Sequence, residues 1–140
     1  MSEQPNTKVV QDAYAAFKRG DIPGLLNLMS DNVGWFLPGP REVIPFLGQR
    51  HGRDQVGQFF KSIAEAQDAE QFEPQEFIAQ GDKVSVSGHY RWRVKSTGRT
   101  FSSDFVHIFT VQNGKITNMH EYLDTHAAVQ AYSGAKSAGH

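Results

Sequence analysis

Residues 100–124 read TFSSDFVHIFTVQNGKITNMHEYLD. On either side of Asn113-Gly114, side chains of one kind recur at every second position, the period of strands whose successive residues point to opposite faces. Asn-Gly tolerates the positive φ that tight hairpin turns require, so the stretch predicts two antiparallel strands, Thr100–Gln112 and Lys115–Asp124. Working outward, Thr97-Gly98 links the first of these to an alternating run at Lys83–Lys95. Gly81-Asp82 links that run to another at Glu73–Gln80. Three successive hairpins make an antiparallel meander.

The N-terminal half carries a different period. Val10, Ala13, Tyr14 and Phe17 recur at helical spacing behind Asn6 and Thr7, which can cap, and the segment stops at Gly20. Asp21 is placed to cap a short second helix with Pro23 in its first turn, and Ser30–Asn32 form its exit. Val33–Leu37 suits a short strand. The prolines at 38, 40 and 45, with Gly39 and Gly48, then impose a long loop. Val43, Ile44, Phe46 and Leu47 make that loop too apolar for a solvent linker, which predicts a lid or pocket wall. From Gly52, the stripe Val56, Phe59, Phe60, Ile63 and Ala64 predicts a third helix ending before Pro74. A short helix is expected at Ala127–Tyr132, and the Ser-, Gly- and Ala-rich end from Ser133 is expected to lack order, which sets a single domain at 1–135 and a tail at 136–140. Helices followed by strands imply an α+β fold with the helices covering one sheet face.

With 140 residues the chain suits one core, and hence one site. Fourteen Lys and Arg against fifteen Asp and Glu give no electrostatic reason to expect a nucleic acid or an anionic membrane as partner. The absence of cysteine removes disulfides, thiolate nucleophiles and Cys-ligated zinc. No apolar h-region opens the sequence and no apolar run approaches bilayer length, so a cytoplasmic protein is expected.

Three segments, VQDAYAAFKRGD at 10–21, GRDQVGQFF at 52–60 and FTVQNGKI at 109–116, together with the closing MHEYLD at 119–124, resemble in order and spacing the SnoaL-like polyketide cyclases and ketosteroid isomerases of the NTF2-like superfamily. The resemblance spans nearly the whole chain. It implies a cone of three N-terminal helices on a strongly curved antiparallel sheet, mixed at one edge, around a deep, mostly apolar cavity. It also implies a homodimer through the outer sheet face. It does not fix one chemistry, because this shell serves isomerases, hydrolases, lyases and binding modules.

Ketosteroid isomerases use an Asp base with an oxyanion hole of a Tyr and a protonated Asp. By resemblance the tyrosine falls on Ala13, next to Tyr14, and the base falls near Leu37, which cannot take a proton. The oxyanion-hole aspartate falls on His107. The epoxide hydrolases that the chain also resembles place a carboxylate at the position of Glu121, while their Arg and Asp fall near Gly88 and Tyr90. The surviving titratable candidates are therefore His107 and Glu121.

Whether these two share a face depends on the turn, because a one-residue slip exchanges faces. A two-residue Asn113-Gly114 turn sets His107 opposite His120. A three-residue turn with Gly114 in a bulge sets it opposite Met119, with Glu121 diagonal to His107. The second is preferred, because it groups Met119, Glu121 and Leu123 with Phe105, His107 and Phe109, and leaves Ile116, Asn118, His120 and Tyr122 outside.

Burial favours the neutral form of each dyad member while their attraction favours the ion pair, so either can serve as base or acid. Tyr14, Trp35, Leu37, Phe59, Tyr90, Phe105 and Met119 are expected to line the ligand site. The dyad can equally be structural, each group satisfying the other. No metal is expected, because His89, His107, His120 and His126 lack helical i,i+4 spacing and scatter over two faces. Arg91, Arg93, Lys95 and Arg99 alternate with apolar residues and form a solvated or dimer-facing surface. No Gly-x-Ser-x-Gly elbow is present. The expected activity is that of an isomerase, lyase or hydrolase, free of cofactors, acting on a small apolar carbonyl or epoxide-like metabolite. The alternative is a non-catalytic binding or dimerisation domain.

Overall fold

The computed structural model describes residues 3–138, with side chains for 4–133. Its helices are α1 (Glu3–Lys18), α2 (Ile22–Asn27), α3 (Gly52–Ala66) and α4 (Thr125–Ala138). The strands β1 (Met29–Leu37), β2 (Gly48–His51), β3 (Gln67–Gln80), β4 (Lys83–Val94), β5 (Thr100–Gln112) and β6 (Lys115–Leu123) form one unclosed, curved sheet in the order β2-β1-β6-β5-β4-β3. Only the β1–β6 ladder is parallel. This is the α+β arrangement expected, with the mixed pairing inside the sheet, between β1 and β6, rather than at its edge.

The helices cover the face on which apolar side chains collect. Val10, Ala13 and Tyr14 of α1 and Val56, Phe59 and Phe60 of α3 are buried against it. Helix α1 begins earlier than the expected caps. Pro5 sits in its first turn, where no donor is required, and Asn6 lies inside the helix with its amide donating to the Gly81 carbonyl at 3.3 Å. Asp21 does cap α2, accepting from the Gly24 N–H at 2.9 Å. Ser30–Asn32, read as a helix exit, belong instead to β1, which bulges between Met29 and Gly34.

Three further boundaries differ from the sequence prediction. β2 was absent from it because Gly48-Gln49-Arg50-His51 has no apolar alternation. Backbone pairing with β1, Trp35 opposite Arg50 and Leu37 opposite Gly48, makes it a strand. β3 starts at Gln67 rather than Glu73, so α3 is shorter. Gln67–Gln71 are good helix formers, but pairing with β4 overrides propensity. Pro74 is tolerated because β3 is an edge strand with a bulge at that point. α4 runs past Tyr132 to Ala138, in keeping with its alanine content. The predicted tail therefore falls partly on a helix and, for residues 139–140, outside the described residues.

The hairpin between β5 and β6 resolves the register by a route that neither turn anticipated. Gln112 pairs with Lys115 across a two-residue turn, in which Asn113 and Gly114 both have positive φ (53° and 77°). Thr117 is then extra, between Val111↔Ile116 and Thr110↔Asn118, so β6 bulges by one residue. Beyond the bulge, Phe109 faces Met119 and His107 faces Glu121 directly. The expected faces are kept, but the dyad is a direct pair rather than a diagonal one. Ile116, predicted to lie outside, is completely buried, because the bulge lets Ile116 and Met119 turn the same way.

Candidate functional site

Across the sheet, Leu37 of β1 follows Phe36, the partner of His120, so successive inward positions bring Leu37, Glu121, His107 and Val86 into one row. Trp35, Met119, Phe109 and Val84 form the next. This arrangement sets the dyad in the floor of the cone. His107 is 8 % exposed and Glu121 5 %.

The two groups are linked by a 2.7 Å contact between His107 Nε2 and Glu121 Oε2. Two tyrosines extend the link. The Tyr14 hydroxyl, delivered by α1, lies 2.6 Å from His107 Nδ1, and Tyr90 of β4 donates to the same Glu121 Oε2 at 3.1 Å. A buried chain thus runs Tyr14–His107–Glu121–Tyr90. Both contacts to the carboxylate converge on Oε2, leaving Oε1 without a protein donor among the described residues. Burial pushes the Tyr14 and Tyr90 hydroxyls well above the ordinary phenol range, and the Glu121 carboxylate pushes both further. Both tyrosines therefore stay protonated donors throughout the neutral range.

Aromatic contacts hold the imidazole in place. Phe105 stacks on His107 with centroids 4.4 Å apart, Tyr90 stacks on Phe105 at 4.8 Å, and Tyr14 lies nearly parallel to His107 at 5.9 Å. Gly88 makes room for Phe105: a Cβ there would stand 2.7 Å from the Phe105 Cζ and 2.3 Å from the Glu73 carbonyl oxygen.

Above this floor lies an apolar cavity of about 110 Å³. An engineered apolar cavity of about 150 Å³ takes up benzene, so the space is of the order of one small ring. Of the expected site residues, Tyr14, Trp35, Leu37, Phe59, Tyr90, Met119, His107 and Glu121 all line it. Phe105 does not. Its ring is taken up behind the wall by the stacks on Tyr90 and His107, which makes it a support rather than a contact surface.

Sequence reasoning foresaw one part of the far side of the cavity and missed the other. Ile44, Phe46 and Leu47 of the 38–47 loop close over it, as its apolar content predicted, and α4 contributes Ala128 and Tyr132. The Tyr132 hydroxyl donates to Gln67 Oε1, and both residues line the cavity opposite the helical wall. The apolar spacing of Ala128, Ala131 and Tyr132 was the available signal for that wall. Gln67 offered none.

The remaining histidines lie elsewhere. His89 pairs with Asp104 at 2.9 Å on the outer face, His120 stacks on Tyr122 and meets Phe36 at a tilt there, and His126 is exposed on α4. The basic run is partly balanced by β3: Arg91 meets Glu70 at 2.9 Å and Lys95 meets Asp68 at 3.7 Å.

This combination of sheet, cone and buried polar floor is that of a known class. Residues 10–119 match the SnoaL-like domain family, and the chain belongs to it. It is similar along its length to an NTF2-like protein of Burkholderia xenovorans, with 39 % identity, 94 % of this chain and 98 % of that one covered, and a TM-score of 0.86. TerC, crystallised with polyporic acid, is 30 % identical over 92 % of this chain and 98 % of its own, with a TM-score of 0.77. An uncharacterized protein of Mycobacterium tuberculosis is 26 % identical over 94 % of this chain and 98 % of its own length.

Proposed function

We propose that the protein is an isomerase, lyase or hydrolase that needs no cofactor, and that it moves a proton on a small, largely apolar carbonyl or epoxide-like metabolite. The observation that carries this reading is the hydrogen-bonded chain Tyr14–His107–Glu121–Tyr90 lining the floor of a largely apolar cavity. A family fold that accepts small organic molecules, as TerC does with polyporic acid, supports the same reading.

In the resting state Glu121 is the carboxylate, accepting from His107 Nε2–H and from Tyr90, while Tyr14 donates to Nδ1. Glu121 Oε1, free of protein donors, is the base that faces the ligand. When Oε1 takes a proton from the carbon beside a carbonyl, the electron pair of the broken C–H bond moves onto the carbonyl oxygen, and the new Oε1–H returns the same proton to a neighbouring carbon, while His107, Tyr14 and Tyr90 keep their own protons and hold the carboxyl group in place. For an epoxide the same carboxylate activates a water instead. Water exclusion strengthens each of these interactions.

The test uses cyclohexanone in deuterium oxide, following exchange of its α-hydrogens by NMR, with cyclohexene oxide hydrolysis in parallel. Wild-type protein accelerates at least one of the two over buffer, and Glu121→Gln and His107→Ala each reduce that rate by about a hundredfold to ten-thousandfold. Equal rates in wild type and both variants, with either probe bound, would leave the alternative, a ligand-binding domain in which the chain only satisfies its own members.

The outer sheet face supports a homodimer. Phe36, His120 and Tyr122 form a stacked strip there, with Tyr122 51 % exposed. No described helix is long and apolar enough to cross a membrane.

A further inference from the structure

Among the described residues, one buried side-chain polar atom has no hydrogen-bond partner, the indole Nε1 of Trp35. Trp35 is 6 % exposed and lines the cavity. The rings it meets edge-on, Phe60 at 5.7 Å and Phe109 at 6.3 Å, carry no oxygen. Phe109 in turn meets His107 at 6.0 Å, so the indole that carries the unpaired donor lines the same chamber as the dyad. An orphaned buried donor is rare in a folded protein, and each one calls for a cause. The other polar side chains on the floor and far wall of this chamber have partners within the protein, Tyr14, His107, Glu121 Oε2 and Tyr90 in one chain and Tyr132 with Gln67, and Glu121 Oε1 is an acceptor that cannot serve the ligand as the indole N–H would.

We propose that the Trp35 indole N–H is the recognition point for a hydrogen-bond acceptor oxygen on the ligand, a carbonyl or ether oxygen on a body of about one ring. The cost of withdrawing this donor from water is already met in the free protein, so a ligand oxygen that reaches it recovers a full hydrogen bond with no competing solvent. A hydrocarbon of the same shape leaves the donor stranded and is rejected, as in sites built around a substrate oxygen. The proposal rests on the cavity being a ligand site and on nothing in the proton-transfer step.

Cyclohexanone and methylenecyclohexane, which differ in an oxygen against a CH2 at nearly equal shape, are the probes. In 15N-labelled protein the two tryptophan side chains, Trp35 and Trp92, give separate indole signals, assigned with Trp92→Phe. Cyclohexanone is expected to move the Trp35 N–H signal downfield and to bind about tenfold more tightly than methylenecyclohexane. Trp35→Phe is expected to bring the two affinities together. Equal affinities in wild type, an unmoved Trp35 signal at saturation, or failure of both probes to bind at millimolar concentration would each overturn the proposal. The wild-type measurements stand even where Trp35→Phe does not fold. Glu121→Gln keeps the ketone preference while it loses turnover, so failure of the acid–base reading and failure of this one give different results.

Discussion

Replacing the whole buried chain with apolar side chains separates a catalytic role from a structural one. In Glu121→Met alone, His107 Nε2 and the Tyr90 hydroxyl lose the acceptor they share at 2.7 Å and 3.1 Å. Two stranded buried donors cost about 1–3 kcal/mol each, so the single variant is expected to lose about 2–6 kcal/mol. In the quadruple variant Tyr14→Phe, His107→Phe, Tyr90→Phe, Glu121→Met, every polar member goes at once, and planar rings remain where Phe105 stacks on residue 107 at 4.4 Å. Buried charged networks replaced by apolar groups of similar volume are commonly neutral or more stable, so the quadruple is expected within about 1 kcal/mol of wild type or above it. Urea unfolding followed by circular dichroism reads both. With a slope of about 2 kcal/mol per molar, the single variant shifts its midpoint by roughly 1–3 M and the quadruple scarcely moves. A quadruple variant as unstable as the single one would refute the reasoning, because the chain would then be holding the fold together.

Raised tyrosine pKa values give an alkaline signature. Above about pH 10 the unfolded chain releases its phenol protons while folded Tyr14 and Tyr90 retain theirs, so the folded state binds more protons and stability falls by about 1.4 kcal/mol per pH unit per tyrosine. Stability measured from pH 9 to 11 is expected to decline less steeply in Tyr14→Phe/Tyr90→Phe, and parallel slopes would contradict the burial. Gly88→Ala forces its new Cβ to within 2.7 Å of Phe105 and 2.3 Å of the Glu73 carbonyl, which is expected to cost about 1–3 kcal/mol by thermal melting. An unchanged melting temperature would show that Phe105 is free to move away. Tyr122→Lys, placing a charge on the stacked outer strip, is expected to convert a sedimenting dimer to monomer, and a wild-type protein monomeric at tens of micromolar would remove that interface.

The fold was legible wherever a period was strong. Val56, Phe59 and Phe60 announced α3, and the alternation around Asn113-Gly114 announced the central hairpin. The failures have physical causes. β2 and the first part of β3 are edge segments that bury little, so hydrophobic alternation is missing and only backbone pairing makes them strands. The Thr117 bulge has no local signature, yet it alone decides that His107 meets Glu121 rather than His120. The dyad came from the family resemblance, which put the oxyanion-hole aspartate on His107 and a carboxylate on Glu121, and the grouping of apolar neighbours put the two on one face. Tyr14 and Tyr90 were read as ligand contacts and not as partners of the dyad, because contacts between residues so distant in sequence, α1 to β5 and β4 to β6, leave no mark in local spacing.

The parallel ladder between β1 and β6 has a consequence for how the chain comes to be. Trp35 cannot take its place beside Met119 until the more than eighty residues between them have left the ribosome. Until then one wall of the future chamber, with Val33, Trp35 and Leu37, has only β2 as a sheet neighbour and remains sticky. Such long-range closure is slow and exposes the nascent chain to aggregation. The last strand is therefore both the seat of the carboxylate and the clasp that shuts the molecule, so chains shortened before it are expected to be trapped by chaperones or lost to proteolysis.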